Sequence, residues 1–527
     1  MKTVVAILIC ASSTGLIRAQ DAPPTEADAK LMPNRCASTA VAADWSTQPA
    51  WNGWGAGITN ARFQTESGAR ITPDQVSRLK LKWAFGFPGA KAVYGQPTVV
   101  AGRVFLGVDT GYVYSIDAAT GCVYWSYQAA GPVRAAVSVG PGKARGSALA
   151  YIGDLKGNVY ALNAATGEQV WKVQADTHPQ AHITGAPQLY RNRLYVPVAS
   201  GEEGAATDPS YQCCTFRGSV VALDALTGRR IWKTYIISDT PKPSGKNSKG
   251  VQLFAPSGGG VWNAPTIDPK RHALYIGTGD AYTQPAPKTT DSIMALDLDN
   301  GKVLWSVQDT SGDAWVVSCI AGRGAPENCP KDAGPDYDFG SSPILVTLAD
   351  GRNVLIAGQK SGNVWAHDPE HKGAVLWKTP VVSKPPEATG QITFGGGADD
   401  RNAYFGLNSG GVVALSLTNG EREWFSDITP ASGRKSGQDA AVSIIPGVIF
   451  SGGWDGVLRA LSTKDGTVLW QFDMAREFDT VNHVPAKGGS MGASGPTVAG
   501  GMVFAGAGYP GVQSGRNGNV LLAFGVE

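Results

Sequence analysis

The stretch ALDALTGRRIW, residues 222–232, carries the pattern that decides the fold. It predicts a strand that ends at Asp224, a tight turn carried by Thr227 and Gly228, and a return strand that ends at Trp232. Gly228 gives the turn the backbone freedom that it needs, and Trp232 supplies a large apolar side chain to bury. One such hairpin is common, but this chain repeats it.

Seven copies of the pattern follow one another along the chain. They end at Trp125, Trp171, Trp232, Trp305, Trp377, Trp424 and Trp470. Each copy follows a strand of the Gly-x-Val type, as in GNVYALN, and another short strand lies further upstream. About four strands per repeat, at a period of about 40–50 residues, is typical of propeller blades. The repeated Asp, Gly and Trp residues are therefore predicted to build turns and blade contacts rather than to carry out chemistry.

The two ends of the repeat array predict an eighth unit. GNVLLAF, residues 518–524, resembles the first half of a repeat, and LKLKWAF, residues 79–85, resembles the second half. Pairing the two would close the ring and remove two exposed sheet edges. We therefore predict an all-β, eight-bladed propeller over residues 51–527, preceded by a lead-in over residues 20–50.

Composition agrees with this fold class. The 527 residues include 68 Gly and 15 Trp, and only 17% of them are charged, which suits many short strands joined by tight turns. A formal net charge of +2 without a Lys/Arg-rich run argues against nucleic-acid binding. No stretch after the first residues is apolar for long enough to span a bilayer.

The first 19 residues predict export. Lys2 followed by an apolar run and a plausible cleavage site near Ala19 is typical of a secretory signal peptide, so we expect a periplasmic or secreted protein. Six cysteines remain after its removal, and an even number favours disulfides in an exported chain. Among them, Cys319 and Cys329 flank a loop, Cys213 and Cys214 are adjacent, and Cys36 and Cys122 remain.

The repeats, together with WNGWGAGITNARFQ at residues 51–64, resemble the pyrroloquinoline quinone (PQQ) dehydrogenases, which are eight-bladed quinoproteins that oxidise alcohols. The segments KWAFGFPGA, ATGCVYW and CCTFRGSVVALD are most similar to the polyvinyl-alcohol dehydrogenase branch. The likeness covers nearly the whole mature chain. It implies PQQ as cofactor, Ca²⁺ or a lanthanide as metal, and a secondary or polymeric alcohol as substrate.

PQQ is a flat tricarboxylate, so its site needs an aromatic face and cations. The resemblance implies that Trp262, in SGGGVW, is the stacking face, since it also departs from the Trp position of the repeat. A disulfide ring of Cys213 and Cys214 would cover the opposite face, although this pair lies about one repeat later than in the methanol-dehydrogenase branch. Lys360, in GQKSG, would contact the quinone oxygens. Further candidates for carboxylate contacts are Thr184 and Arg134.

The resemblance also implies a metal site and a catalytic base. Hard oxygen ligands suit Ca²⁺, and one ligand would be Glu202 or its neighbour Glu203. Asp280, in IGTGD, stands where many relatives carry Asn. The segment PDYD would supply the base at Asp336, itself also a candidate ligand, with Asp338 next to the metal or as the alternate base. We expect only one of the two aspartates to act as the base.

Two function classes follow. In the first, Asp336 takes the proton of the alcohol, and the electrons pass to a separate acceptor such as an exported cytochrome c, because the chain contains no CxxCH motif for covalent haem. In the second, the chain is a non-catalytic exported propeller that serves as an assembly or binding scaffold. The joint presence of the candidate site residues favours the enzyme.

Overall fold

The computed structural model describes residues 27–37, 45, 50–324, 326–381, 392–428, 437–510 and 515–527. The predicted signal peptide and much of the predicted lead-in lie outside these ranges. The described part of the lead-in includes a 3₁₀ turn at Ala29–Leu31 and Cys36, which is disulfide-bonded to Cys122. Within the described ranges, no helix has the length and apolar character needed to cross a membrane.

Most of the described strands form eight antiparallel sheets, seven of four strands and one of five, which are the blades of a propeller. Strand β1 (Leu79–Gly86) belongs to the last of them. Blade one contains β2 to β5 (Thr98–Val100, Arg103–Gly107, Tyr112–Asp117, Val123–Gln128), and blade two contains β6 to β9 (Ser138–Pro141, Ala148–Gly153, Asn158–Asn163, Gln169–Gln174). Blade three contains β10 to β14 (Ala181–His182, Gln188–Tyr190, Arg193–Ser200, Ser219–Asp224, Arg230–Tyr235), of which β10 is a short fifth strand paired with β12. After the hairpin β15–β16 (Lys242–Lys246, Gln252–Ala255), blade four contains β17 to β20 (Thr266–Asp268, Ala273–Gly277, Ser292–Asp297, Val303–Gln308).

The remaining blades continue in chain order. They contain β21 to β24 (Ile344–Thr347, Asn353–Gly358, Asn363–Asp368, Ala374–Pro380), β25 to β28 (Gly396–Ala398, Asn402–Gly406, Val412–Ser416, Arg422–Ser426), β29 to β32 (Ser443–Ile445, Val448–Gly452, Val457–Ser462, Val468–Asp473) and, after the hairpin β33–β34 (Glu477–Phe478, Ala486–Lys487), β35 to β37 (Thr497–Ala499, Met502–Ala507, Val520–Val526). Short helices occur at α1 (Glu66–Ala69), α2 (Pro73–Val76) and α3 (Glu202–Ala205), with 3₁₀ turns at Val317–Cys319, Pro326–Asn328 and Pro369–His371.

The predicted closure of the ring is confirmed. Strand β1 pairs antiparallel with β37, from Leu79 opposite Val526 to Gly86 opposite Val520, so the eighth blade combines both ends of the chain. This pairing gives hydrogen-bond partners to two strand edges that would otherwise be open.

The Trp-ended hairpins join neighbouring blades, as predicted. The indole Nε1 of Trp171, in the second blade, donates to the Ala225 carbonyl in the turn of the third blade at 3.0 Å. Gly228 in that turn has φ of 71°, and a Cβ there would lie 2.8 Å from the Trp171 ring. The same indole bond joins Trp424 to the Thr463 carbonyl at 2.9 Å. Glycine is therefore required both for the turn and for the close approach of the preceding blade.

We expect Gly228→Ala to lower the free energy of unfolding by about 2–4 kcal/mol, because the added methyl group combines a strained left-handed backbone with overpacking against Trp171. Gly250→Ala is the matched control, since Gly250 has φ of 81° but no atom within 4 Å of the added Cβ. Denaturant unfolding of both variants measures the difference. Equal losses for the two variants would show that the contact between blades adds nothing.

Candidate metal and cofactor site

The side chains that form the candidate site lie on loops at one end of the propeller. In each blade the first two strands are antiparallel, so the loop that enters the first strand and the loop that leaves the second meet at the same end. Trp262 precedes β17 and Asp338 precedes β21, whereas Asp280 follows β18 and Lys360 follows β22. The turns between the third and fourth strands, such as that of Gly228, fall at the opposite end. The repeat that builds the blades is therefore separated from the site.

Three carboxylates converge at this end. One oxygen each of Glu203, Asp280 and Asp338 lies within 4.8 Å of the other two, and both oxygens of Asp280 are buried without a hydrogen-bond partner. Burial and the charge of Asp338 raise the pKa of Glu203 to about 8, and the same two causes raise the pKa of Asp280 well above its ordinary value. Buried carboxylates repel one another unless a cation lies between them. The cluster therefore has the charge and the donor atoms of a site for a hard metal ion.

Glu202 and Glu203, although adjacent in the chain, have different environments in the structure. The Glu202 carboxylate is fully buried and accepts the N–H groups of Thr215 and Phe216, each at 2.8 Å, and the Tyr211 hydroxyl at 2.9 Å. Glu202 thus holds the chain that follows Cys214, and it does not join the three-carboxylate cluster. Of the two glutamates that the sequence left open, Glu203 is the one that lines the cavity.

Lys360 connects the cluster to the predicted base. Its Nζ donates to Asp336 Oδ1 at 2.6 Å and to Asp338 Oδ2 at 2.8 Å. Burial alone would lower the pKa of Lys360, but the charges of Asp336 and Asp338 outweigh it and raise that pKa well above its ordinary value. Burial raises the pKa of Asp336 to about 7, although the charge of Lys360 opposes the rise. Both aspartates of the PDYD segment therefore reach one ammonium group, but of the two it is Asp338 that belongs to the cluster.

Trp262 forms the floor of a cavity of about 440 Å³ that Glu203 and Asp338 of the cluster also line. The Lys360 Nζ lies 5.2 Å from its ring centroid, and Phe394 packs edge-on against the ring at a centroid distance of 6.0 Å. Gly340 packs against the indole so closely that no Cβ fits there. These contacts hold the indole in one orientation and leave an aromatic surface in the cavity.

Arg134 and Thr184 line the same cavity. The Arg134 guanidinium carbon lies 5.2 Å from the centroid of the Phe394 ring. Thr184 Oγ1 and Trp454 Nε1, both from residues that line the cavity, are buried without a hydrogen-bond partner in the described structure. Burying an unpaired polar group is unfavourable. These groups are therefore suited to a bound ligand that carries several oxygen atoms.

Cys213 and Cys214 form a disulfide, and neither cysteine is among the residues that line the cavity. Both residues are buried in an apolar cluster with Phe216, Tyr282 and Val316. Tyr282 belongs to this cluster and also lines the cavity. The disulfide therefore shares an apolar cluster with a residue of the cavity wall, and its implied contact with a cofactor stays a prediction.

Further side chains that line the cavity were not predicted from the sequence; they include Ser200, Asn408, Asp439, Trp454 and Tyr509. Their position in the blades could have identified them in the sequence, because each lies at or just after the end of a second strand or just before a first strand. Trp454 also lies outside the Trp position of the repeat, the same departure that distinguishes Trp262.

Comparison with known proteins agrees with this geometry. Residues 51–318 match the family described as glucose/ethanol/alcohol dehydrogenase, beta-propeller domain, and residues 245–444 match the outer membrane protein assembly factor BamB. A polyvinylalcohol dehydrogenase of Pseudomonas sp is 42% identical over 96% of this chain and 81% of its own length. A second, from Sphingopyxis sp. (strain 113P3), is 37% identical over 94% of this chain and 79% of its own length.

The fold is shared with solved structures as well. Quinohemoprotein alcohol dehydrogenase ADHIIG from Pseudomonas putida HK5 superposes with a TM-score of 0.69 at 18% identity, over 94% of this chain and 83% of its own. The chain therefore belongs to the PQQ-dependent dehydrogenases, whose propeller it has. Within that family, the polyvinyl alcohol dehydrogenases named above share about two fifths of its residues over nearly the whole chain.

Proposed function

We propose that this protein is an exported quinoprotein dehydrogenase that oxidises secondary or polymeric alcohols, such as polyvinyl alcohol, with PQQ and a hard metal ion. The observation that carries the proposal is the cluster of Glu203, Asp280 and Asp338, which lies beside the Trp262 floor. The Lys360 ammonium group links this cluster to Asp336, because it donates to both Asp336 and Asp338. Two carboxylates of the cluster, the Trp262 floor and the Asp336 base line one cavity, as an alcohol dehydrogenase of this kind requires.

The donor set fits Ca²⁺ or a lanthanide. All three side chains offer carboxylate oxygens, the donors that such ions prefer. Asp280 contributes a charge that an Asn at the same position would not, and both of its oxygens lack a partner. The three carboxylates of the cluster carry three negative charges when ionised, which equals the charge of a trivalent ion and exceeds that of a divalent ion. We therefore expect La³⁺ to bind more tightly than Ca²⁺.

The cavity fits PQQ. The indole of Trp262 offers the flat surface, while Arg134 and Lys360 offer positive charge for the carboxylate and quinone oxygens. The unpaired groups of Thr184 and Trp454 are available to the same oxygens. When bound, PQQ supplies a two-electron acceptor whose carbonyl the metal polarises.

Asp336 is the residue that we assign as general base. Its carboxylate lies in the cavity wall, and one oxygen is already paired with Lys360 at 2.6 Å, which orients the group. The second oxygen can accept the hydroxyl proton of an alcohol bound in the cavity. Lys360 stays protonated, because the two aspartates raise its pKa, and it stabilises the carboxylate between turnovers.

The apolar rim of the cavity favours alcohols with a large hydrocarbon part. Trp315, Val317 and Ile320 line it; Ile320 lies in the loop that the Cys319–Cys329 disulfide closes, and the other two lie just before that loop. Asn328 in this loop is buried and donates to the carbonyls of Ala206 and Asp208, which ties the loop to the segment after α3. An anchored apolar wall suits the hydrocarbon part of a secondary or polymeric alcohol.

We expect Ile320→Asp to lower kcat/KM for polyvinyl alcohol and 2-octanol by about tenfold and to leave 2-propanol nearly unchanged, because the lost apolar contact matters only to a substrate that reaches the rim. Leu304→Asp is the matched control, since Leu304 is similarly exposed but lies on the outer strand β20. Steady-state kinetics with the three alcohols measures the effect. Equal losses for all three alcohols would refute the role of the rim.

Electron transfer and location complete the proposal. The sequence contains no CxxCH motif, so the electrons would leave to a separate acceptor such as an exported cytochrome c. Three disulfides, including Cys36–Cys122 and Cys319–Cys329, support an oxidising location outside the cytoplasm.

The proposal is tested by adding PQQ with Ca²⁺ or La³⁺ to the purified protein and following dye reduction with primary, secondary and polymeric alcohols. We expect reduction that requires both PQQ and the metal and is fastest with secondary or polymeric alcohols. No reduction with any alcohol, together with no change in melting temperature on adding PQQ and metal, would overturn it.

A scaffold function is the second candidate, because residues 245–444 match an assembly factor. The carboxylate cluster argues against a scaffold function. Burying the unpaired Asp280 carboxylate beside Glu203 and Asp338 costs folding free energy, and a propeller that only binds other proteins gains nothing in return.

A further inference from the structure

The PDYD segment follows a long excursion of the chain. Between Trp315 and Gly334 the chain leaves the blade, forms the disulfide-closed loop and returns. The two ends of the loop meet, because the Gly334 N–H donates to the Ala314 carbonyl at 2.9 Å. Asp336 comes directly after this junction, so its position depends on how the junction is held.

Asp313 lies at the junction and is completely buried. Its Oδ1 accepts the Asp336 N–H at 3.2 Å, and its Oδ2 accepts the Tyr337 N–H at 2.7 Å. Its backbone carbonyl accepts the N–H of Ala281, the neighbour of Asp280, at 3.2 Å. One residue therefore connects the backbone of the base to the strand end that carries a carboxylate of the cluster.

Asp336 needs this support because of its backbone conformation. Its φ is 63°, in the left-handed region that residues with a Cβ adopt at a cost. Hydrogen bonds from two successive N–H groups to one carboxylate are strong and directional, and they stabilise this turn of the chain. Since the Cα–Cβ direction follows the backbone, they also set where the Asp336 carboxylate points.

We propose that Asp313 is a positioning residue for the base: its carboxylate holds the backbone of Asp336 and Tyr337, so that the Asp336 carboxylate faces Lys360 and the cavity although a loop has been inserted just before it. This inference rests on the proposed function, because it assumes that Asp336 is the base. Asp313 itself is not among the residues that line the cavity.

The test is Asp313→Asn, which keeps the shape but replaces one acceptor oxygen with an NH₂ group. We expect kcat for 2-propanol to fall by about 10–100-fold, with the KM of the alcohol and the affinities for PQQ and La³⁺ within about twofold of the parent protein. Hydrogen exchange is the second measurement, and the amides of residues 334–340 should exchange faster in the variant.

Asp268→Asn is the matched control. Asp268 is buried and accepts the N–H groups of Lys270 at 3.0 Å and Arg271 at 3.1 Å, but it is the last residue of β17, at the opposite end of the propeller. We expect it to lower stability and leave kcat and the exchange of residues 334–340 unchanged. If Asp313→Asn does not fold, Asp313→Glu, which retains the charge on a longer side chain, is measured instead with the same expectation.

An unchanged kcat in the Asp313 variant, or a loss of kcat that Asp268→Asn reproduces, would overturn the proposal. So would a loss of kcat that is accompanied by weaker PQQ or La³⁺ binding. If the parent protein oxidises no alcohol, the proposed function fails, but the exchange measurement still decides whether Asp313 holds the segment. Unchanged exchange at residues 334–340 would then refute the role of Asp313.

Discussion

Asp336→Asn is expected to lower kcat for alcohol oxidation by about a thousandfold, within the range that general-base catalysis contributes. The amide oxygen of Asn can still accept a hydrogen bond from Lys360, so the geometry of the site should remain, but it cannot take a proton at neutral pH. Steady-state dye reduction with PQQ and metal at saturating concentrations measures the effect. Affinities for PQQ and metal should change little, because Asp336 lies outside the three-carboxylate cluster.

Asp338→Asn provides the comparison for this variant. Asp338 belongs to the cluster, and its Oδ1 accepts the Asp280 N–H at 2.5 Å. We therefore expect its replacement to weaken metal binding, with a loss of activity that higher metal concentrations partly restore. Full activity of Asp336→Asn would move the base to Asp338 or to another residue.

Glu203→Gln is expected to weaken the binding of Ca²⁺ and La³⁺ by about a hundredfold or more, because it removes one of three charged ligands. The metal-free variant should unfold at the same temperature as the metal-free parent or at a higher one. The reason is that burial and the charge of Asp338 raise the pKa of Glu203 to about 8, so folding at neutral pH must take up a proton at Glu203, and this lowers the stability of the metal-free protein. Thermal unfolding with and without metal measures both effects.

Glu202→Gln should behave in the opposite way. Its carboxylate accepts hydrogen bonds from Thr215, Phe216 and Tyr211, and a Gln leaves at least one of these donors unpaired, at a cost of about 1–3 kcal/mol. We therefore expect lower stability and an unchanged metal-induced shift in melting temperature. If Glu202→Gln abolished the shift and Glu203→Gln preserved it, the assignment of the ligand would be reversed.

The fold could be predicted from the sequence because its determinants are local and repeated. Each hairpin needs a turn glycine and a terminal Trp, and the contact of Trp171 with Gly228 shows why the two recur together: the indole of one blade packs on the turn of the next. The eighth blade was predictable because LKLKWAF and GNVLLAF each lacked a partner, and β1 pairs with β37 as expected.

The ligand at Glu202 or Glu203 could not be chosen from the sequence. The two residues open the one-turn helix α3, where successive side chains point about 100° apart. Which of them faces the cavity depends on how the helix is rotated, and that is set by the distant Thr215 and Phe216 amides that bind Glu202. The surroundings of the Cys213–Cys214 disulfide were likewise not predictable, because its apolar cluster includes Tyr282 and Val316, which are distant in the sequence.

Other parts of the site were predictable in principle. Asn408 and Trp454 occupy the position after a second strand that Lys360 also occupies, and a systematic reading of those positions in all blades would have found them. Asp313 was different, because its carboxylate acts on backbone groups 23 and 24 residues away, across the disulfide-closed loop. Such a contact leaves no pattern in the sequence.

The most direct test of the account is a crystal structure of the protein with PQQ and La³⁺, with the metal located from its anomalous scattering. We predict one strong anomalous peak between Glu203, Asp280 and Asp338, within about 2.3–2.6 Å of their oxygens if La³⁺ follows the distances of Ca²⁺, and planar density for PQQ against the Trp262 ring. A peak at another place, or PQQ density away from Trp262, would contradict the account.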